Sequence, residues 1–203
     1  MAANYQIMLD KTLDEIKKSK SVPKLLLHSC CAPCSSYCLQ YLSDYFDITV
    51  LYFNPNIEDE EYERRLAEQK RFISEIKTKN KIDIIEGRHD TAEFYSAVKG
   101  LENEKEGGKR CEVCFRLRLK EAAQFAKENG FDYFTTTLSI SPLKNATLLN
   151  SIGEELSREF RVKYLFSDFK KRSGYLRSIE LSKEYSLYRQ DYCGCVYSMR
   201  RDI

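Results

Sequence analysis

The chain has 203 residues, 42% of them apolar, with 33 Lys and Arg against 31 Asp and Glu and a net charge of +2. That length and apolar content suit one domain with a buried core and exclude a disordered, collagen-like or linker-type chain. The balanced charge excludes an overall basic field toward nucleic acid and leaves only a local patch open.

Residues 4–20 predict an amphipathic helix, with Ile7, Leu9, Leu13 and Ile16 near helical spacing. The Leu25-Leu26-Leu27 run marks a buried strand over 24–28, and Pro33 then opens a helix to about 43. A second strand over 47–53 is broken by Asn54-Pro55-Asn56, and a long charged helix covers 58–79. A third strand at 81–86 and a short helix at 91–101 precede a flexible charged loop at 102–110. A helix over 111–129 ends at Gly130, followed by a fourth strand at 131–137 and a turn at Ser141-Pro142. A helix at 144–160, a fifth strand at 162–166 and a helix at 176–190 leave a tail over 191–203. No apolar run nears the ~18 residues a membrane helix needs. The N-terminus lacks a basic start followed by an apolar core, so a cytoplasmic chain is expected.

Alternating strands and helices imply right-handed βαβ units and a mostly parallel five-stranded sheet flanked by helices, an α/β fold. Helix N-termini then lie at the carboxyl edge of the strands, where ligands bind. Cys30, Cys31 and Cys34 fall between the first strand and its helix, and Cys111 and Cys114 open the helix before the fourth strand. Both groups therefore belong to one edge of the sheet. The layout does not place Cys193 and Cys195, whose incoming helix can end at either edge.

Eight cysteines in a chain with no export signal point to metal or redox chemistry, not to a disulfide framework. Thiolate is the reactive form, and a helix N-terminus stabilises it. Cys111 and Cys114 face one side of their helix, with Arg118 one turn further along it. The bland reading, a pair of buried small apolar residues, is disfavoured because helix-start cysteines are expected to be exposed. Cys38 shares a stripe with Tyr41, Leu42 and Tyr45 and reads as core, whereas Cys34 fits both that stripe and a Cys-x-x-Cys pair with Cys31. Cys193-Gly194-Cys195 suits a strained, readily reduced disulfide or an edge-on metal contact. A thiolate-held iron–sulfur cluster, a structural zinc site and thioredoxin-like exchange all remain open, the cluster using the surplus of cysteines best. His28 reads as a satisfied strand-end residue and His89 as solvated. Lys170, Lys171 and Arg172 follow the fifth strand and form a candidate phosphate-contact patch, with Arg116, Arg118 and Lys120 a second basic group.

Several stretches, taken together, resemble a known family. His28-Ser29-Cys30-Cys31-Ala32-Pro33-Cys34 resembles the motif that opens the epoxyqueuosine reductase family QueH. Tyr52-Phe53-Asn54-Pro55-Asn56-Ile57, Arg110-Cys111-Glu112-Val113-Cys114, the run from Phe134 to Pro142 and the run from Tyr188 to Ser198 are similar to its later motifs, in the family's order. The resemblance implies reduction of epoxyqueuosine to queuosine at the wobble position of tRNA, the last step of queuosine synthesis, without cobalamin. It implies a 4Fe-4S cluster held by Cys30, Cys31, Cys111 and Cys114 and a redox-active pair, Cys193 and Cys195, and it leaves an additional iron ion open. Cys34 stands as an alternative to one of the doublet, and a thiol of the Cys-Gly-Cys pair as an alternative metal ligand. Asp191 and nearby tyrosines are the candidate proton donors. The expected organisation is a single catalytic domain over 1–203, with an N-terminal helix at 1–23 and a C-terminal helix and tail at 176–203, on an adenine-nucleotide-hydrolase-like (Rossmann-like) core. Cysteines stand where such folds carry a glycine-rich phosphate cradle, so ATP use is not expected. The competing readings are a zinc-stabilised nucleic-acid-binding module and a thioredoxin-like thiol exchanger.

Overall fold

Three consecutive leucines in one strand require apolar cover on both faces, which only a central strand of a parallel sheet receives. A computed structural model, which describes residues 3–199, puts β1 (Lys24–His28) in that position. With β2 (Asp47–Tyr52), β3 (Ile82–Glu86), β4 (Tyr133–Thr136) and β5 (Lys163–Tyr164) it forms a five-stranded, all-parallel sheet of order β3-β2-β1-β4-β5. Helices α1 (Tyr5–Ser19), α2 (Ala32–Leu42), α3 (Asp59–Glu75), α4 (Thr91–Ala97), α5 (Lys109–Glu128), α6 (Ala146–Phe160) and α7 (Gly174–Glu184) flank it, giving a Rossmann-like core.

Side chains alternate between the two faces of the sheet. Leu25, Leu27, Ile48 and Val50 bury against Leu9, Leu13 and Ile16 of α1 and Leu39 and Leu42 of α2. Leu26, Leu51 and Phe134 face the alanines of α5 (Ala122, Ala123, Ala126) and Leu149, Ile152 and Leu156 of α6. Each such large side chain contributes roughly 1.5–3 kcal/mol. On α6, a Cβ at Gly153 would stand 2.3 Å from the Tyr164 ring, so glycine is what lets this helix reach β5. No helix among the described residues is long and apolar enough to cross a membrane.

Element order and type follow the sequence expectation, but several ends move. Helix α5 starts at Lys109, two residues before the expected start at 111, because Gly108 already takes the N-cap position. Its Arg110 is buried and its Nη1 donates to the carbonyls of Leu101, Glu102 and Glu104, which ties down the preceding loop. Helix α3 ends at Glu75, where Ile76 turns extended and buries its side chain in the core. Helix α7 stops at Glu184, well short of 190, and residues 185–195 cross over α3 in irregular form.

The strand order reverses between β1 and β4, the switch point at which open α/β sheets bind ligands. His28 pairs in register with Thr136 at the carboxyl end of both strands, and the chain beyond each carries the site.

Candidate metal centre

The turn after β1 is held by polar groups from neighbouring segments. Ser29 Oγ and Ser35 Oγ both donate to Gln69 Oε1 of α3, at 2.9 Å and 3.0 Å, and Asn54 Nδ2 donates to the Ser29 carbonyl at 2.9 Å. His28 is buried, with Nε2 3.1 Å from the Phe53 carbonyl and Nδ1 2.9 Å from Thr136 Oγ1. Burial, and then the charge of Arg118, lower its pKa to about 4, so the imidazole is neutral. A neutral ring bonded to a carbonyl must donate from Nε2, so Nδ1 accepts from the threonine hydroxyl. His28 is thus a satisfied structural residue.

On this support the thiols of Cys30, Cys31 and Cys34 gather, their Sγ atoms all within 4.8 Å of one another and those of Cys30 and Cys31 3.9 Å apart. Cys31 is the extended N-cap of α2 and leaves the helix N–H groups uncapped by its side chain. Hydrogen bonds from Cys31 and then Cys34 hold the Cys30 thiol well below its ordinary range. Burial first, and the bond to Cys30 second, push Cys31 up to about 12. Cys34 is pushed well above its ordinary range, foremost by its hydrogen bond to Cys30. Such a group carries one thiolate and two thiols until a cation displaces the protons.

The second group comes from two distant segments. Cys111 and Cys114 open α5, and Cys193 and Cys195 approach from the C-terminal segment, all four lining a cavity of about 20 Å³. Cys114 is 6% exposed, packed with Phe94 of α4, with Val98 just after that helix and with Cys195, not open to solvent as expected of a helix-start cysteine. Burial pushes its thiol up to about 12, and Arg118 opposes this. Burial also raises Cys195. The Gly107 N–H donates to Cys111 Sγ at 3.2 Å. All eight cysteines are unpaired thiols.

Arg118 and Cys193 link the two groups. Arg118 is buried on α5 and lies in the fields of Cys114, Cys193, Cys30 and Cys111. Cys193 lines the small cavity and also a cleft of about 350 Å³ at the switch point, shared with Cys30, Cys34, Lys144, Arg189 and Tyr192. Burial opposes the charge on Lys144, yet the Coulombic pull of the neighbouring cysteines, Cys193 and then Cys30 foremost, outweighs it and raises the pKa, so the ammonium stays cationic. A donor set of cysteines alone suits zinc or an iron–sulfur group and disfavours the hard cations Mg²⁺ and Ca²⁺. Arg118 Nη1 and Nη2 have no partner among the described residues, which fits an anionic group between the thiols.

Other residues singled out by the sequence lie elsewhere. Cys38 is buried in the core beneath α2. His89 is not solvated: it stacks on Tyr62 with ring centroids 3.7 Å apart, and its Nε2 lies 2.8 Å from the Ile57 carbonyl. Lys170 pairs with Asp168 at 2.6 Å and Arg172 with Asp10 at 2.5 Å, while Lys171 is exposed. Arg116 pairs with Glu155, and Asp191 lines the cleft. Sequence reasoning missed Arg65, Gln69 and Lys144, since nothing local marks partners such as those of Arg65 and Gln69, which lie 34 to 128 positions away.

Cysteine groups brought to the carboxyl edge of a parallel sheet define a protein able to hold a metal or cluster beside an open cleft. Comparison with known proteins narrows the class. Residues 25–201 match the family described as "Epoxyqueuosine reductase QueH". Proteins of that name from Streptococcus pyogenes serotype M1 and Staphylococcus epidermidis are 46% and 44% identical to the chain, covering 98% and 96% of it and 81% and 84% of their own lengths. A more distant one from Thermotoga maritima is 36% identical over 86% of the chain and 90% of its own length. The chain belongs to the epoxyqueuosine reductase family QueH.

Proposed function

We propose that this chain reduces epoxyqueuosine to queuosine at the wobble position of tRNA in the cytoplasm. In this reading the described residues act as one catalytic unit, Cys30, Cys31, Cys111 and Cys114 hold a 4Fe-4S cluster, and Cys193 and Cys195 form the redox pair. The observation that carries it is the position of Cys193, which lines the open cleft with Cys30 and Cys34 and the small cavity with Cys111, Cys114 and Arg118.

Removing the epoxide oxygen as water breaks two C–O bonds, forms one C=C bond and consumes two electrons and two protons. The Cys193 and Cys195 thiols supply both on forming a disulfide, and an external reductant restores them. An iron–sulfur cluster held by the cysteines named above would supply one-electron transfer and Lewis acidity. Lys144, cationic beside Cys30, faces the cleft where negative charge develops on that oxygen. Tyr192 and Tyr175 line the same cleft and suit stacking on a base turned out of the anticodon loop, with Arg189 beside them.

The test is purification without oxygen, assay of iron and acid-labile sulfide, and nucleoside analysis of tRNA carrying epoxyqueuosine after incubation with a reductant. Sulfide together with queuosine formation is expected. Zinc without sulfide or turnover would leave a nucleic-acid-binding module, and turnover by metal-free protein a thiol exchanger. Full multiple-turnover activity in Cys193→Ala or Cys195→Ala would remove the dithiol.

A further inference from the structure

Among the arginines that are essentially solvent-free, Arg65 and Arg118 differ in one respect. Arg65, 1% exposed, has all three side-chain nitrogens bonded: Nε to Glu61, Nη1 to the Cys193 carbonyl and Nη2 to the Tyr192 carbonyl. Arg118, 0% exposed, has only a 3.4 Å contact from Nε to the Cys114 carbonyl of its own helix. Both of its terminal nitrogens lack a hydrogen-bond partner, and it forms no ion pair with a carboxylate among the described residues. A guanidinium left like this is strongly destabilising unless an anion completes it. Arg118 lines the small cavity with Cys111, Cys114 and Cys193, and Cys193 also lines the cleft that holds Cys30.

We propose that Arg118 is a positioning residue whose free Nη1 and Nη2 groups donate to the anionic, thiolate-held cluster and raise its reduction potential. The inference rests on the cluster reading above and adds a role for a residue outside the ligand set. Four thiolates around an iron–sulfide core make a net negative group, and each added electron deepens that charge. A fixed cation with two N–H donors beside it favours the reduced state, since net charge and hydrogen bonds to sulfur set such potentials. In a site this dry water and salt screen the effect far less than at the surface.

The experiment compares wild type, Arg118→Met and Arg118→Lys, each loaded with iron and sulfide in the absence of oxygen and titrated against redox mediators by EPR. At fixed potential Arg118→Met is expected to lower the reduced-to-oxidised ratio about tenfold, a shift of about 59 mV for a one-electron couple. Arg118→Lys, which keeps the charge and loses the fork, should show less than half of that shift. Thermal unfolding supplies a readout that a purely structural arginine would not give. Arg118→Met should raise the melting temperature of the empty protein, because an uncompensated charge is gone, and reduce the gain on loading. An unshifted potential at wild-type sulfide content, or a melting temperature lowered equally in empty and loaded protein, would overturn the role of Arg118. If Arg118→Met does not fold, a potential unchanged in loaded Arg118→Lys overturns it equally. Failure of wild type to take up any acid-labile sulfide strikes the cluster reading itself, and the Arg118 role falls with it.

Discussion

Arg65 of α3 and Cys193 of the C-terminal segment are joined by a hydrogen bond of 3.2 Å from Nη1 to the Cys193 carbonyl oxygen, across 128 positions of sequence. It belongs to a seam along one face of α3. Glu61 accepts from Arg65 Nε at 2.6 Å and from the Tyr188 hydroxyl at 3.0 Å, Glu68 accepts the Tyr188 N–H at 2.7 Å, and Arg71 donates to the Tyr185 carbonyl at 2.9 Å. The seam supplies residues 185–193 with the backbone partners a longer α7 would have given them. Arg65→Met takes the charge partner from Glu61 and the donors from two carbonyls in a nearly dry site, and a loss of about 3 kcal/mol is expected. Urea unfolding checks it, with an unchanged midpoint as the contrary result.

Gly194 takes a positive φ of 104°, and a Cβ there would lie 2.7 Å from Ile57 Cγ1 and 2.9 Å from Arg65 Nη1. Gly194→Ala therefore combines left-handed strain with a clash against a fixed guanidinium, together about 2 kcal/mol or more. The adjacent Cys195 is buried, so the displaced turn should also expose it. Faster alkylation of Cys195 by iodoacetamide is expected, and an unaltered rate would show that the turn absorbs the methyl group.

Much of this architecture is legible in the residues. Leu25, Leu26 and Leu27 can be satisfied only by a strand covered on both faces, and the fixed hand of βαβ units carries Cys30 and Cys111 to one edge. What escapes a reading of the sequence depends on tertiary partners. The burial of Cys114 is set by Phe94 of α4 and Val98 just after it, and the end of α7 by Glu68 and Arg71, whose side chains outweigh local helix propensity. His89 reads as solvated because nothing nearby in sequence announces Tyr62 as its stacking partner.

Cys38 gives the control for the cysteine assignments. It is fully buried in the core with its Sγ 3.5 Å from the Cys34 carbonyl, whereas Cys111 lines the small cavity with Cys114, Cys193 and Cys195. Cys38→Ala should lower stability by about 1–2 kcal/mol through lost packing while leaving iron and sulfide content unchanged. Cys111→Ala should do the reverse, with most of the sulfide lost and a smaller change in the unfolding midpoint of the empty protein. Equal sulfide loss in both variants would mean that cluster content merely follows stability.

The run Lys170-Lys171-Arg172 offers tRNA less free charge than its composition suggests. Lys170 is paired with Asp168 and Arg172 with Asp10, and Lys171 makes no ion pair among the described residues. Salt dependence of binding counts the counterions released, with a slope of about 0.7 per phosphate contact on single-stranded nucleic acid. If the pairs persist in the complex, Lys171→Ala alone should reduce the slope by about 0.7, and neutralising all three should do little more. A reduction near 2 for the triple variant would mean that tRNA phosphates displace Asp168 and Asp10 on binding. Asp10 can be released at small penalty, because Gln6 Nε2 already donates to it at 2.9 Å. Fluorescence anisotropy of a labelled anticodon stem-loop between low and physiological salt separates these outcomes. A slope untouched by all three substitutions would remove the run from the tRNA interface and move the search to Arg189 and Lys144 at the cleft.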